Sequence, residues 1–318
     1  MNRMGDELVI ITVTLNPAID KTMTIDNFQP GKVNRESGVR IDVGGKGINV
    51  SKTIQALGGE SMAIGIVAGS AGEFIKKELS RMGIEHHFIG IDGETRTNVK
   101  IVDSVNGSVT DINENGPFLP MEILKEFESA TMDHLTEKSL VVFSGSVPRN
   151  VDKDIYRRLI HGAKAKGAKT ILDADGELLL EGLKAGPYLV KPNIHELERL
   201  FSIQLDSTEK IIAYGRKLFD YGVEHVVVSL GEEGAIFINQ EQTVLAKGIK
   251  VDVKSTVGAG DAMVAAMAVA MSRGYSLEEI IRWAVATSAA NVMTEGTQAP
   301  SIDEITRLMK EVAFRQIN

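Results

Sequence analysis

Apolar positions along this chain follow two alternating rhythms. Short runs rich in β-branched residues recur at Val9–Leu15, Met62–Val67, Leu140–Phe143, Thr170–Asp173, Tyr188–Lys191 and His225–Leu230. Between them, Ile48–Leu57, Glu73–Met82, Met121–Leu135, Lys153–Lys166, Leu178–Leu183 and Thr208–Tyr221 place apolar residues three and four apart. The first rhythm predicts strands and the second predicts helices. Their alternation predicts an α/β protein whose mostly parallel sheet is joined by right-handed crossovers, with helices on both faces. Several of the strands are apolar throughout, which suits a sheet covered on both sides. From Gly260 onward the pattern predicts helices only, through Val269, Trp283 and Leu308.

Two regions break the alternation. Thr22–Ile41 and Asn98–Asn113 carry apolar and polar residues in turn, with a period of two. The second contains Val105-Asn106-Gly107 between alternating runs, the strongest short-range signal for a hairpin. Strands of this type can face water on one side, so the pattern predicts a small sheet standing off the main core, formed by about 16–41 and 92–115. There are no internal repeats, low-complexity segments or linkers, and residues 1–318 are expected to form one domain.

Composition narrows the function. With 43% hydrophobic and 25% charged residues in 318, the chain is long enough to bury a large core. A net charge of −8 argues against a general binder of nucleic acid or membrane surfaces, while leaving room for a small anionic substrate held by a few local cations. The chain has no cysteine, which excludes disulfides, thiolate nucleophiles and zinc–thiolate sites. The apolar stretch Leu8–Leu15 follows acidic Asp6 and Glu7 and lacks the basic leader and cleavage site of a signal peptide. No run reaches the ~18 apolar residues of a membrane span, so the cytoplasm is the expected compartment. Met1–Glu7 are expected to be partly disordered.

Candidate chemistry lies in three places. Ser255-Thr256-Val257-Gly258-Ala259-Gly260-Asp261 precedes a helix of small residues. Glycines there let several N–H groups converge at a helix start, where the helix dipole favours an anion. Asp261 is placed to accept a proton from a hydroxyl attacking a bound phosphate. As a bare pattern, a capped helix start accounts for this segment equally well. Gly44-Gly45-Lys46-Gly47-Ile48-Asn49-Val50-Ser51 is a second glycine-rich helix start. It is neither a Walker A loop nor a dinucleotide fingerprint.

The third place is the ends of strands, where Asp20, Ser144-Gly145-Ser146 and Lys191-Pro192-Asn193-Ile194-His195-Glu196 stand. Ligands of open α/β sheets bind outside the carboxyl ends of the strands, so these residues together point to one cleft. Other signals fail. His195-Glu196 lacks the second histidine of a zincin, Asp173–Glu177 is too short for a calcium loop, and His86 and His87 point to opposite faces of a strand. The methionines of Ala262–Met271 are expected in the core.

With both glycine motifs in hand, the chain resembles the ribokinase-like (PfkB) carbohydrate kinases nearly end to end. GGKGINVS and STVGAGD look like that family's two signatures, in its order and separated by about two hundred residues. The resemblance implies a three-layer α/β/α core with ATP and Mg²⁺ as cofactors. It makes the small sheet a lid over the sugar that often pairs two subunits into a homodimer. Within the family, Thr14–Asp20, Thr95–Lys100, Val109–Asn113, Leu189–Glu198 and Val251–Val264 look most like the 1-phosphofructokinase branch, which phosphorylates fructose 1-phosphate. Tagatose-6-phosphate kinases share much of this pattern.

Roles follow from the resemblance. Asp261 would be the base, with the Gly258, Ala259 and Gly260 amides as the anion hole. Asp20, Gly45 and Asn49 would hold sugar hydroxyls, while Lys46, Arg96 and Lys100, with Ser144 nearby, would bind the phosphate already on the sugar. Arg96 suits that task best, because its fork binds phosphate bidentately. Asn193 and Glu196 would organise magnesium through water or phosphate, and Lys191, Asn193, Ser229, Gly231, Gly234 and Thr256 would line the nucleotide side. Position 255 is Ser where many relatives outside the phosphosugar branch have Asp, and the lid hairpin lacks the second arginine that some relatives carry.

Overall fold

The computed structural model describes residues 8–317. The chain begins β1 (Val9–Thr14), β2 (Ala18–Ile25), β3 (Glu36–Gly44), α1 (Lys46–Ala56), β4 (Ser61–Ala68), α2 (Gly69–Arg81), β5 (Glu85–Ile91), β6 (Arg96–Asp103) and β7 (Val109–Asn113). It continues α3 (Met121–Asp133), β8 (Ser139–Ser144), α4 (Ile155–Ala165), β9 (Lys169–Asp173), α5 (Gly176–Leu183), β10 (Leu189–Val190), α6 (Ile194–Phe201) and α7 (Thr208–Arg216). The last part is β11 (His225–Ser229), β12 (Gly234–Ile238), β13 (Thr243–Lys247), α8 (Ala259–Ser272), α9 (Leu277–Val292), α10 (Ile302–Met309) and β14 (Phe314–Ile317).

Ten strands form the main sheet in the order β14-β13-β12-β11-β10-β9-β8-β1-β4-β5. From β11 to β5 every pairing is parallel, whereas β12, β13 and β14 run antiparallel at one edge. Successive side chains of a strand face opposite sides, and here both sides are apolar. Ile11, Val13, Val141 and Phe143 join a core with residues of α3, α4 and α5, while Ile10, Leu140 and Val142 join another with α1, α8 and α9. That double covering explains why these strands read as unbroken apolar runs. All the carboxyl ends of the parallel strands, and with them the loops bearing the motifs, lie along one edge of the sheet.

The small sheet has the order β3-β2-β6-β7, with β2 and β6 parallel and the outer pairs antiparallel. Its register sorts the side chains by chemistry. Asp42, Asp20, Asn98 and Asn113 form one cross-strand row, and Thr22, Lys100 and Asp111 a second row on the same face. The opposite face carries Val39, Ile41, Met23, Val99, Ile101 and Ile112, of which Val39, Ile41 and Ile112 are exposed.

The sequence pattern misplaces four features. β14 follows the helices of the C-terminal part, where helices alone were expected, because a four-residue alternation becomes a strand only by pairing with β13. The β12–β13 hairpin, visible as GAIFI and TVLAK, was not anticipated. Strand β10 shrinks to Leu189–Val190, since Lys191 and Pro192 already turn toward the start of α6. The helix expected to continue to Tyr221 tightens into a 3₁₀ segment at Lys217–Tyr221. His86 and His87 do diverge, one hydrogen-bonded with Ser80 Oγ at 3.0 Å and the other in a tilted ring contact with His134. The expectation for Met1–Glu7 lies outside the described residues.

Helix α8 is buried on every side, from Asp261 to Ala270, so its small residues let α1 and α9 approach closely. Helix α1 is pressed against β1 just as tightly. A Cβ on Gly47 would overlap Thr14 Oγ1 and come within 2.8 Å of the Val13 carbonyl oxygen, a backbone atom that cannot give way. Gly47→Ala is therefore expected to cost about 1–3 kcal/mol by overpacking. The check is a lower urea midpoint at unchanged slope; an unchanged midpoint would show that α1 moves without cost.

Candidate active site

Two helix N-termini meet at the carboxyl edge of the sheet. Gly258 caps α8 at φ 85°, in the left-handed region that favours glycine, and turns the chain sharply into the helix. First-turn amides of a helix have no intrahelical acceptor, so those of α8 face the cleft. One turn in, Asp261 is buried and its Oδ2 accepts a 2.9 Å hydrogen bond from Asn49 Nδ2. Burial pushes the Asp261 carboxyl up to about 6, with Asp173 adding to the rise while Lys46, Asn49 and Lys191 oppose it.

Gly45 caps α1 at φ 104°, and a Cβ on its neighbour Gly44 would overlap the Asp20 carboxylate. That close approach brings the small sheet against the start of α1. Asp20 Oδ1 accepts from Asn98 Nδ2 at 2.8 Å, and burial pushes the carboxyl up against the pull of Asn98, Lys52 and Arg96. Arg96 donates to the Asn16 and Glu114 carbonyls, each at 3.2 Å, and has no carboxylate at ion-pair distance among the described residues. Lys100, by contrast, pairs with Asp111 at 3.3 Å.

Between the two helix starts lies Asp173, at the end of β9 and 1% exposed. Its Oδ1 meets Lys46 Nζ at 3.2 Å and Lys191 Nζ at 3.4 Å, while Oδ2 is buried with no protein partner. Burial raises this carboxyl, but Lys191 and Lys46 more than reverse the effect and hold it below the usual carboxylate range. The same pairing raises Lys46 above the ordinary lysine range despite its burial. Asn193 and Glu196 form a reciprocal capping box at the start of α6, and burial pushes Glu196 up.

These groups line one cleft of about 1340 Å³. Sixteen of the motif residues singled out in the sequence join Asp261 on its wall: Asp20, Gly45, Lys46, Asn49, Arg96, Lys100, Lys191, Asn193, Glu196, Ser229, Gly231, Gly234, Thr256, Gly258, Ala259 and Gly260. Ser144 does not. It ends β8 at 1% exposure with Oγ unpartnered, in register with Asp173, and the Tyr156 hydroxyl from α4 takes its carbonyl at 3.0 Å. The strand end is thus buried, and Ser144 itself does not line the cleft, although its register partner Asp173 does.

The structure adds residues that motif reading passed over. Asp173 appeared only as part of a failed calcium loop. Asp42, Asp111 and Asn113 reach the cleft through the cross-strand rows, a consequence of register that alternation alone signals. Ile249, Val251, Val285, Ala289 and Val292 give the opposite end an apolar lining. They come from the segment after β13 and from α9, and nothing local in the sequence links them.

A buried carboxylate at a helix start, beside a cleft with one apolar and one polar end, is the arrangement of a phosphotransferase acting on a hydroxyl. The model of the family described as pfkB family carbohydrate kinase matches residues 13–304. The chain is 36% identical to a 1-phosphofructokinase of Bacillus subtilis over 311 residues, covering 97% of this chain and 100% of that one. It is 32% identical to a tagatose-6-phosphate kinase of Staphylococcus epidermidis over 313 residues, covering 97% and 100%. Phosphofructokinase-2 from Escherichia coli superposes with a TM-score of 0.91 at 30% identity, covering 96% of this chain and 99% of that one. This chain belongs to the pfkB family of carbohydrate kinases, and its fold is that of the ribokinase-like enzymes. Among the described residues, no helix is long and apolar enough to cross a membrane.

With Asp261 as the proposed base, which must be ionised to act, turnover is expected to fall as pH drops through about 6. Asp261→Asn should lower kcat by ~10²–10⁴-fold while leaving nucleotide affinity unchanged. The raised carboxyl also has a stability consequence. Its contribution is fully present below the unfolded value of 3.8 and is lost as pH rises through about 6. At pH 8 the variant should therefore melt no lower than the parent. Wild-type turnover in the variant, or a large loss of Tm at pH 8, would overturn the assignment.

Proposed function

We propose that the chain transfers the γ-phosphoryl group of ATP to fructose 1-phosphate, giving fructose 1,6-bisphosphate. One observation carries the phosphosugar reading. Of the cations Lys46, Lys100 and Arg96, only Arg96 has no carboxylate at ion-pair distance, and its charge lies on the polar, Asp20-lined end of the cleft. A neutral sugar needs no such group, whereas a phosphate uses its bidentate fork. The choice of fructose 1-phosphate is supported by the 1-phosphofructokinase relatives that match over most or all of their length.

In this reading Asp20, Asn49 and the Gly45 backbone hold the sugar hydroxyls. Adenine lies against Val285, Ala289 and Val292, and the nucleotide phosphates run past Lys191, Ser229, Gly231, Gly234 and Thr256 toward the start of α8. Asp261 takes the proton of the attacking hydroxyl as charge develops on its oxygen. The Gly258, Ala259 and Gly260 amides stabilise the migrating group where that charge appears.

The donor set also suits Mg²⁺. Asp173 Oδ2 is buried without a protein partner, and Asn193 and Glu196 stand on the same wall. Such an ion would be held by one or two carboxylates together with water and substrate phosphates. When bound, it would neutralise charge on the transferring phosphates.

The small sheet acts as a lid in this reading. Its polar face borders the cleft, and its exposed apolar residues Val39, Ile41 and Ile112 are the surface through which two copies would pair as a homodimer. A second reading, tagatose 6-phosphate as acceptor, is favoured by the full-length tagatose-6-phosphate kinase relative. The two are separated by ADP release measured with ATP, Mg²⁺ and a panel of fructose 1-phosphate, tagatose 6-phosphate, fructose 6-phosphate and free fructose. A preference for fructose 1-phosphate of ~10²-fold in kcat/KM, about 2.7 kcal/mol, is expected. The highest kcat/KM with tagatose 6-phosphate would move the assignment to the second reading, and turnover of free fructose alone would sink both.

A further inference from the structure

Lys52 is a charged group near the cleft that the mechanism above leaves without a task. It lies in the second turn of α1, is 8% exposed, and has no carboxylate at ion-pair distance among the described residues. Its ammonium instead meets three neutral oxygens: Val43 O at 2.9 Å, Asn49 Oδ1 at 3.4 Å and Thr297 Oγ1 at 3.4 Å. Desolvating an ammonium for hydrogen bonds to neutral groups is costly, and a methionine of similar length would fill the same space at less expense. A lysine kept there points to a use for its charge.

The Asn49 amide shows what that use is. An ammonium can only donate and an ionised carboxylate can only accept. Asn49, one turn from Lys52 on the same helix face, stands between an ammonium and a carboxylate. With Lys52 Nζ on its oxygen, its NH₂ group must face Asp261, to which it donates at 2.9 Å. Rotating the amide by half a turn would set a carbonyl oxygen against the carboxylate and an NH₂ group against the ammonium, so both contacts would become repulsive.

We infer that Lys52 is a positioning residue for the phosphoryl transfer: through Asn49 it keeps a hydrogen-bond donor aimed at Asp261 and so favours the ionised base. The relay runs Lys52 Nζ–H to Asn49 Oδ1, then Asn49 Nδ2–H to Asp261 Oδ2. The inference rests on Asp261 being the base, as proposed above.

The surroundings agree with this role. Burial pushes the Lys52 ammonium below the ordinary lysine range, while Asp42 from β3, Asp20 from β2 and Asp261 from α8 pull it back up and Arg40 from β3 adds to the fall. The same ammonium also ties together three parts of the site. Val43 belongs to the small sheet, Asn49 to α1, and Thr297 to the segment after α9 that borders the cleft.

The test separates a relay from simple packing. The Asp261 carboxyl is titrated by ¹³C NMR in the ligand-free protein, with Asp261→Asn assigning its resonance, and then again in Lys52→Met. The titration midpoint is expected to move up by about one pH unit when the relay is broken. In kinetics, kcat at pH 6.5 should fall by roughly tenfold or more and recover as pH rises, with KM for ATP unchanged. In an Asn49→Ala background, Lys52→Met should then add less than about a twofold loss, because the path is already cut.

A folded Lys52→Met protein with an unmoved midpoint would overturn the inference, as would losses that multiply in the double variant. If Lys52→Met does not fold, Lys52→Gln carries the titration, since its amide still reaches toward the Val43 carbonyl without charge. The NMR titration needs no substrate. Failure of every phosphosugar to turn over would count against the proposed function, whereas an unmoved midpoint would count against Lys52 alone.

Discussion

The site depends first on one buried ion cluster, Asp173 between Lys46 and Lys191. A carboxylate at 1% exposure is tolerated only because two ammonium groups share its Oδ1. Each lysine belongs to a different half of the cleft. Lys46 is the first residue of α1, on the side of Asp20 and Asn49, and Lys191 leads from β10 toward Asn193 on the nucleotide side. A Cβ on Gly260 would come within 3.3 Å of Lys191 Nζ, so the same cluster also packs against the first turn of α8. Without Asp173 the two neighbouring cations would repel one another, and the two helix starts would lose the charge that draws them together.

That cluster also tunes Asp261, the proposed base. Burial is the largest influence on Asp261 and favours its neutral form, Asp173 pushes in the same direction, and Lys46 and Lys191 partly offset both. A value of about 6 leaves the carboxylate ionised at neutral pH yet more basic than a surface aspartate. Moderate basicity is useful in a transfer where the proton leaves late, because the group must accept it only once the hydroxyl oxygen carries positive charge. The position of Asp261 thus follows from the glycine turn, while its proton affinity follows from what surrounds the turn.

How much of this was legible follows the range of each interaction. The parallel core was readable, because strands buried on both faces are uniformly apolar and their helices keep a period near 3.6. The two glycine turns were readable because a positive φ at Gly45 and Gly258 leaves a local mark. Asp173 was not, since its importance comes from Lys46, 127 residues away, and from Lys191 on another loop. Lys52 was hidden in the same way, as its partners Val43 and Thr297 lie on different elements. Ser144 has the right residue type at a strand end, yet its side chain is buried, its carbonyl is held by the Tyr156 hydroxyl, and it does not line the cleft. The edge strand β14 exists only through its pairing with β13, so a four-residue alternation could not announce it.

A chain of net charge −8 that binds two anions at once cannot rely on its overall field. Asp20, Asp42, Asp111, Asp173, Glu196 and Asp261 all border the cleft, so even locally acidic groups are numerous. Attraction must therefore come from groups whose charge is not already answered. Lys46 and Lys191 share the single carboxylate of Asp173, and Lys100 pairs with Asp111. Two of the sources left are the partial charge of the helix starts and the guanidinium of Arg96, which is bound only to carbonyls. These two sources differ in kind. Backbone amides at α8 suit a phosphoryl group in motion, since they need not reorganise as charge migrates. A planar fork suits a phosphate that stays in place. The acidic background then serves selection: the cleft favours an anionic substrate long enough to reach both sources.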